Sequence, residues 1–143
     1  MAVVLLDDHL LRDWLAGPDA VLRRALGRSN VATTNLWYAR LCKSAAGHGG
    51  GSLFGSWSNA ERDVVIAGLV ALPDSVTVLA MQQLAWQMGQ MVHAHTGLST
   101  LGAEAIAAAL QLPARLLVSS RDDGPGIRRA CSVLDIKYST VHR

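Results

Sequence analysis

The hydrophobic residues of the chain fall into five short runs, which are separated by stretches with the spacing of helices. The runs are rich in Val, Leu or Ile and lack regular polar alternation, as is typical of strands covered on both faces in a parallel sheet. Strands that alternate with helices imply right-handed crossovers and a doubly wound sheet. The pattern therefore predicts a three-layer α/β/α fold with a mainly parallel five-stranded sheet, with strands at residues 2–6, 31–34, 76–79, 116–119 and 136–140.

Several helix ends can be predicted from local residue types. Ser58 followed by Glu61 forms a capping box, and Pro73 is expected to stop the helix that begins there. Pro125 suits the first turn of the last helix. The remaining helices are predicted from about residue 81, from residue 99 or 100 to before 113, and from about 123 to 134.

Residues 45–58 interrupt this pattern. They include His48, a triple glycine at 49–51 and Gly55, and this glycine content predicts a flexible loop. Both an active-site lid and a plain connection remain open for it. No other stretch resembles a linker, so we expect one domain over residues 1–143.

Composition narrows the class of protein. The chain has 143 residues, of which 50% are hydrophobic and 17% are charged, and this balance favours a packed core over disorder. The net charge of +2 is too small to imply a nucleic-acid partner by itself. Cys42 and Cys131 lack metal-ligand spacing and indicate thiols in a reducing compartment. Without a membrane-length apolar stretch, a cytoplasmic protein is expected.

Acidic residues follow two of the predicted strands. Asp7 and Asp8 come after the first strand, Asp122 and Asp123 come after the fourth, and Glu104 lies on the helix that leads into the fourth. Ligands of open parallel sheets bind beyond the carboxyl ends of the strands, so these acids are expected to converge. Carboxylates are the ligands that Mg²⁺ and Mn²⁺ prefer. A divalent-metal site at this edge of the sheet is therefore predicted.

Each acid also has a structural interpretation. Asp8 is suited to capping the following helix, and Glu104 to complementing a helix dipole. Asp122 precedes a Gly-Pro-Gly turn, where aspartate is common. His9 has no evident partner in the sequence.

The order of these motifs resembles that of PIN domains. An apolar run that ends in Asp7 looks like the family's opening strand with its metal-binding aspartate. The resemblance covers most of the chain outside the glycine-rich segment, and it is carried by residues 3–11, 76–79, 81–95, 97–99, 105–110, 115–122 and 134–138.

Many bacterial PIN proteins are toxin ribonucleases that a small antitoxin neutralises. The resemblance therefore implies an endoribonuclease dependent on Mg²⁺ or Mn²⁺, with RNA as substrate and an antitoxin-like protein as partner; a homodimer is left open. Asp7 would be the principal metal ligand and a catalytic residue. Asp122 and Glu104 would share both roles, and Asp8 would be a further metal ligand.

The sequence also departs from the family pattern. The family's second acid should lie on the helix after the second strand, but residues 36–39 offer none. Gly102 stands at the third acidic position, with Glu104 two residues later, and an offset of two residues turns a helical side chain by about 200°. Ser120 stands at the fourth position, with Asp122 two residues later. These departures support a second hypothesis, a catalytically degenerate PIN-like domain that acts as a protein-interaction or regulatory module.

Overall fold

Strands and helices alternate along most of the chain, as the hydrophobic pattern predicts. The computed structural model describes residues 2–47 and 51–143. Among the described residues, no helix has the length and apolar character needed to cross a membrane. The elements are β1 Val3–Leu6, α1 Asp8–Ala16, α2 Ala20–Leu26, β2 Asn30–Thr33, α3 Asn35–Ala46, α4 Gly51–Phe54, α5 Asn59–Val70, β3 Val76–Val78, α6 Met81–Ala94, α7 Thr100–Gln111, β4 Arg115–Ser119, α8 Pro125–Val133 and β5 Tyr138–Val141.

The five strands form one parallel sheet with the order β3-β2-β1-β4-β5. Alternate residues of β1 point to opposite faces, so Leu5 packs in one core and Val4 and Leu6 in the other. Helices α6, α7 and α8 cover the first face, and helices α1, α2, α4 and α5 cover the second. This arrangement confirms the predicted three-layer α/β/α fold.

The strand order places a crevice beside the central strand. From β1 the chain proceeds outward to β2 and β3, and then returns to the other side of β1 as β4. The connection that leaves β1 and the connection that enters β4 therefore lie on opposite faces of the sheet. This change of direction in the strand order is the switch point of the sheet, and it opens a crevice at the carboxyl ends of β1 and β4. Asp7 follows β1 directly, and Ser119 ends β4.

Close packing at the start of α8 fixes the loop that carries Asp122. A Cβ atom on Gly126 would lie 2.5 Å from the carbonyl oxygen of Gly97, so only glycine fits there. Pro125 occupies the first turn of α8, as predicted. The loop between β4 and α8 is therefore held against the segment before α7.

The glycine-rich segment is more regular than its composition predicts. Residues Gly51–Phe54 form the short helix α4, with Leu53 and Phe54 buried, so the prediction of a loop throughout residues 45–58 was wrong at this point. Apolar burial outweighs the glycine content here, and Arg12 donates a hydrogen bond to the carbonyl of Leu53. The part of the predicted loop at residues 48–50 lies outside the described residues.

Candidate metal centre

Asp7 is held rigidly at the end of β1. It is the N-cap of α1, where its Oδ1 accepts a hydrogen bond from the backbone N–H of Leu10 at 2.9 Å. Its Oδ2 accepts from the backbone N–H and the hydroxyl of Ser119, at 2.8 and 2.6 Å. The residue is fully buried, and burial, together with the neighbouring Asp122, raises the pKa of Asp7 to about 7 despite these hydrogen bonds.

Asp8 is also fully buried, and it pairs with the next residue. Its Oδ1 accepts a hydrogen bond from the backbone N–H of His9 at 2.9 Å and lies 3.0 Å from His9 Nδ1. The capping role that the sequence suggests for Asp8 belongs instead to Asp7, because Asp8 is already inside the first turn of α1. The carboxylate of Asp8 is therefore directed into the crevice instead of the helix end.

Asp122 reaches the same crevice from the loop after β4. Its Oδ2 lies 3.7 Å from His9 Nδ1, and its side chain is only 10% exposed. Burial lowers the pKa of His9, but its contacts with Asp122 and Asp8 outweigh burial and raise the pKa to about 9. Burial also opposes ionisation of Asp122, yet its contacts with His9 and Asp7 hold the pKa of Asp122 below its usual range.

These side chains form one acidic cluster, which consists of Asp7, Asp8, His9 and Asp122. One ligand atom from each residue lies within 4.8 Å of the others. The convergence of the three aspartates, predicted from their positions after strands, is therefore present in the folded chain.

The donor set of the acidic cluster suits a hard divalent cation. Asp8 Oδ2 and Asp122 Oδ2 are buried and accept no hydrogen bond from the described residues. Unpaired buried oxygens are costly, and carboxylate oxygens are the ligands that Mg²⁺ and Mn²⁺ prefer. Asp7, Asp8 and Asp122 therefore fit such an ion.

A guanidinium group lies beside the acidic cluster. Arg40 in α3 places its Nε 3.1 Å from Asp8 Oδ2 and an Nη1 3.4 Å from Asp122 Oδ1. Because Asp8 Oδ2 still accepts no hydrogen bond, its contact with Arg40 is an ion pair without an aligned N–H. Helix α3, on which the family resemblance leads us to expect an acid, thus brings a cation to the acidic cluster.

Glu104 does not join the acidic cluster. Its Oε2 accepts hydrogen bonds from the backbone N–H and the side-chain amide of Asn35, at 3.1 and 2.7 Å, and its Oε1 accepts from the backbone N–H of Leu36 at 2.9 Å. The fully buried carboxylate thus satisfies the first N–H groups of α3. The predicted grouping of Glu104 with the metal ligands was wrong, since its two-residue offset directs it to this helix end.

Sequence reasoning missed three contributors to the site. His9 directly follows two acids at a strand end, and that position could have indicated a role. Ser119 ends β4, which pairs with β1, so its contact with Asp7 follows from the strand order. Arg40 lies in the second turn of α3 and has no local sequence feature that marks it, because its contacts depend on how α3 packs.

Comparison with known proteins supports the fold. The sequence matches no family model and no curated protein. Among solved structures, the chain is similar to the crystal structure of FitAcB from Neisseria gonorrhoeae, with a TM-score of 0.57 and 17% sequence identity over 94% of this chain and 95% of that chain. FitB is a PIN-domain protein. The chain therefore has a PIN-like fold.

Proposed function

We propose that the chain is a PIN-like, toxin-type endoribonuclease that uses Mg²⁺ or Mn²⁺ held by Asp7, Asp8 and Asp122. The observation that carries this proposal is the convergence of these carboxylates at the switch point of the sheet, with ligand atoms within 4.8 Å of one another. Asp7 accepts a hydrogen bond from Ser119, which is 112 residues away in sequence, so the fold brings the parts of the site together.

The electrostatics of the acidic cluster also support a cation site. Clustered carboxylates would repel the phosphates of RNA unless their charge were neutralised. A bound divalent ion would supply that neutralisation and would activate water for cleavage of a phosphodiester. Glu104 is not part of the proposed ligand set, because its two oxygens cap α3.

The residues around the proposed ligands have distinct roles. The hydroxyl and N–H of Ser119 fix the orientation of Asp7. His9 presents Nδ1 to Asp8 and Asp122, and with its raised pKa it holds a proton there at neutral pH. That positive charge favours the ionised form of Asp122, which is the form that binds metal.

The proposal extends to partners. FitAcB, the solved structure to which the chain is similar, is a complex of a toxin with its antitoxin. We therefore propose a small antitoxin-like protein as partner and single-stranded RNA as the substrate to test first. Because fold alone does not fix function, the acidic cluster carries the proposal more than the similarity does.

The first test compares two neighbouring aspartates. Asp122→Asn removes a carboxylate from the acidic cluster, whereas Asp123→Asn removes one that pairs outside it, with Arg128 and Tyr138. We expect Mn²⁺ to raise the melting temperature of the parent and of Asp123→Asn by mass action, and to have a much smaller effect on Asp122→Asn. Cleavage of a labelled single-stranded RNA should follow the same order and stop when EDTA is added.

Two results would contradict this proposal. One is a parent protein whose melting temperature and RNA cleavage do not respond to millimolar Mn²⁺ or Mg²⁺. The other is an Asp122→Asn variant that cleaves RNA as fast as Asp123→Asn in the presence of metal.

A second function is favoured by the charges that the chain itself brings to the acidic cluster. His9 and Arg40 place two positive groups against Asp8 and Asp122, so the site is largely neutralised without a metal. A catalytically degenerate, protein-binding module would have this property. Such a module predicts no response of the melting temperature to Mn²⁺, and the same titration therefore separates the two functions.

A further inference from the structure

We infer that Arg40 is a built-in competitor of the divalent ion, so that its guanidinium must leave Asp8 and Asp122 before a metal ion binds between them. The inference rests on the proposed function, because it concerns the same acidic cluster. It adds a residue of α3 that controls access of the metal to the site.

The contacts of Arg40 place its charge where a bridging ion would lie. Its Nε is 3.1 Å from Asp8 Oδ2, and its Nη1 is 3.4 Å from Asp122 Oδ1. The two carboxylates come from different parts of the chain, α1 and the loop after β4, and the guanidinium bridges them. Among the cationic groups of the described residues, only Arg40 and His9 form ion pairs with these two acids.

The two cations exclude each other for reasons of space and charge. A magnesium ion binds oxygen at about 2.1 Å and demands near-ideal geometry. The ion would therefore lie closer to the carboxylate oxygens than the guanidinium nitrogens of Arg40 do. Two positive charges a few ångströms apart at the same carboxylates also repel strongly in a partly buried site. Metal binding therefore requires displacement of Arg40.

Arg40 is free to move without unfolding the helix that carries it. Its side chain is 46% exposed, whereas that of Asp8 is completely buried. The start of α3 is held separately, by Thr34 as N-cap and by the carboxylate of Glu104. The guanidinium can therefore turn outward to solvent while the backbone of α3 stays in place.

The ion pair is also poorly suited to a purely structural role. Asp8 Oδ2 lies beside Arg40 but accepts no hydrogen bond from it, and the hydrogen bond that Arg40 donates to Asp122 Oδ1 is long, at 3.4 Å. An ion pair with a partly exposed partner and imperfect geometry contributes little, and a better cation can displace it.

The test measures the affinity for Mn²⁺ alone, without RNA. Electron paramagnetic resonance counts free Mn²⁺ in titrations of the parent, Arg40→Gln, Arg40→Lys and the control Arg128→Gln, whose guanidinium pairs with Asp123 outside the cluster. We expect Arg40→Gln to bind Mn²⁺ roughly five- to tenfold more tightly than the parent. The affinity of Arg40→Lys for Mn²⁺ should lie between those of the parent and Arg40→Gln, because lysine keeps the charge but loses the planar fork of the guanidinium. The affinity of Arg128→Gln should match that of the parent.

A second readout uses the metal-free proteins. Removing the guanidinium leaves Asp8 without a cation on Oδ2, so Arg40→Gln should melt at a lower temperature than the parent in EDTA. Mn²⁺ should then stabilise Arg40→Gln more than it stabilises the parent. Circular dichroism of each variant confirms that it is folded before the titration.

The outcomes separate this inference from the proposed function. If the parent binds Mn²⁺ and Arg40→Gln binds it equally or more weakly, competition by Arg40 is overturned while the metal site stands. If neither protein binds Mn²⁺ at millimolar concentration, both the competition and the metal site are overturned. Tighter binding by Arg40→Gln supports both.

Discussion

Asp7 accepts hydrogen bonds on both of its carboxylate oxygens, whereas Asp8 and Asp122 each keep one buried oxygen without a donor among the described residues. Asp7 is thus fixed by Leu10 and Ser119 and serves as the rigid part of the site. The other two aspartates can accept a cation without breaking any hydrogen bond at their unpaired oxygens. For the proposed metal site, we expect this difference between the three acids to matter more than their number does.

The raised pKa values of Asp7 and His9 predict how stability changes with pH. Folded Asp7 keeps its proton up to about pH 7 while the unfolded residue loses it near 3.8, so stability falls as the pH rises through this window. The stability from protonated His9 is complete below pH 6.5 and is lost as the pH rises through about 9. We therefore expect the unfolding free energy of the metal-free protein to decrease from about pH 5 to pH 9, as measured by denaturant titration in EDTA.

A pair of histidine variants isolates the upper part of this decrease. His9→Gln should lose the decrease between pH 6.5 and 9, whereas His93→Gln, which changes an exposed histidine of α6, should keep it. An unfolding free energy that stays constant from pH 6.5 to 9 in the parent would contradict the assigned role of His9.

Sequence reasoning finds residues whose position follows from a strand end and misses those placed by helix packing. Asp7, Asp8 and Asp122 follow strands, and strand ends of a parallel sheet meet at one edge, so their convergence could be predicted. The side chains of Glu104 and Arg40 reach their partners because α7 and α3 are each rotated about their axes in a particular way when they pack on the sheet. Such a rotation depends on the whole core and has no local marker.

At the scale of elements, local chemistry predicts several of the helix boundaries. Ser58 caps α5 by accepting from the N–H of Glu61, and Ser99 caps α7 by accepting from the N–H of Gly102, as the residue types indicate. A different outcome is seen at α4, where glycines favour a loop but Leu53 and Phe54 reach the core. Burial of two large apolar side chains is a tertiary effect, and a propensity for loops does not anticipate it.

Gly126 gives a prediction for the element that orients Asp122. Gly126→Ala would push a Cβ against the backbone of Gly97, which cannot yield as a flexible side chain could. We expect the unfolding free energy to fall by about 2–3 kcal/mol, as measured by denaturant titration. The affinity for Mn²⁺ should fall as well, because the loop before α8 shifts.

Gly89 provides the matched control. It lies inside α6, and a Cβ there would meet no atom within 4 Å. Gly89→Ala should therefore raise the unfolding free energy by up to about 1 kcal/mol, through helix propensity, and leave Mn²⁺ binding unchanged. Equal effects of the two substitutions would show that close packing at Gly126 is unimportant.

For the whole molecule, the strand order decides where chemistry is possible. The sheet order β3-β2-β1-β4-β5 places its switch point between β1 and β4, and the acidic cluster lies at that point. The same overall fold occurs in FitAcB at 17% sequence identity. The fold could be predicted from hydrophobic patterning, whereas the charge balance of the site depends on how the helices pack.

The central claim is that Asp7, Asp8 and Asp122 together hold a divalent metal ion. Anomalous diffraction from a crystal soaked in Mn²⁺ would locate manganese without reference to activity. We expect an anomalous peak within bonding distance of these carboxylates, with the Arg40 guanidinium turned away from Asp8. A crystal without manganese at the cluster, with Arg40 still bridging Asp8 and Asp122 at millimolar Mn²⁺, would contradict it.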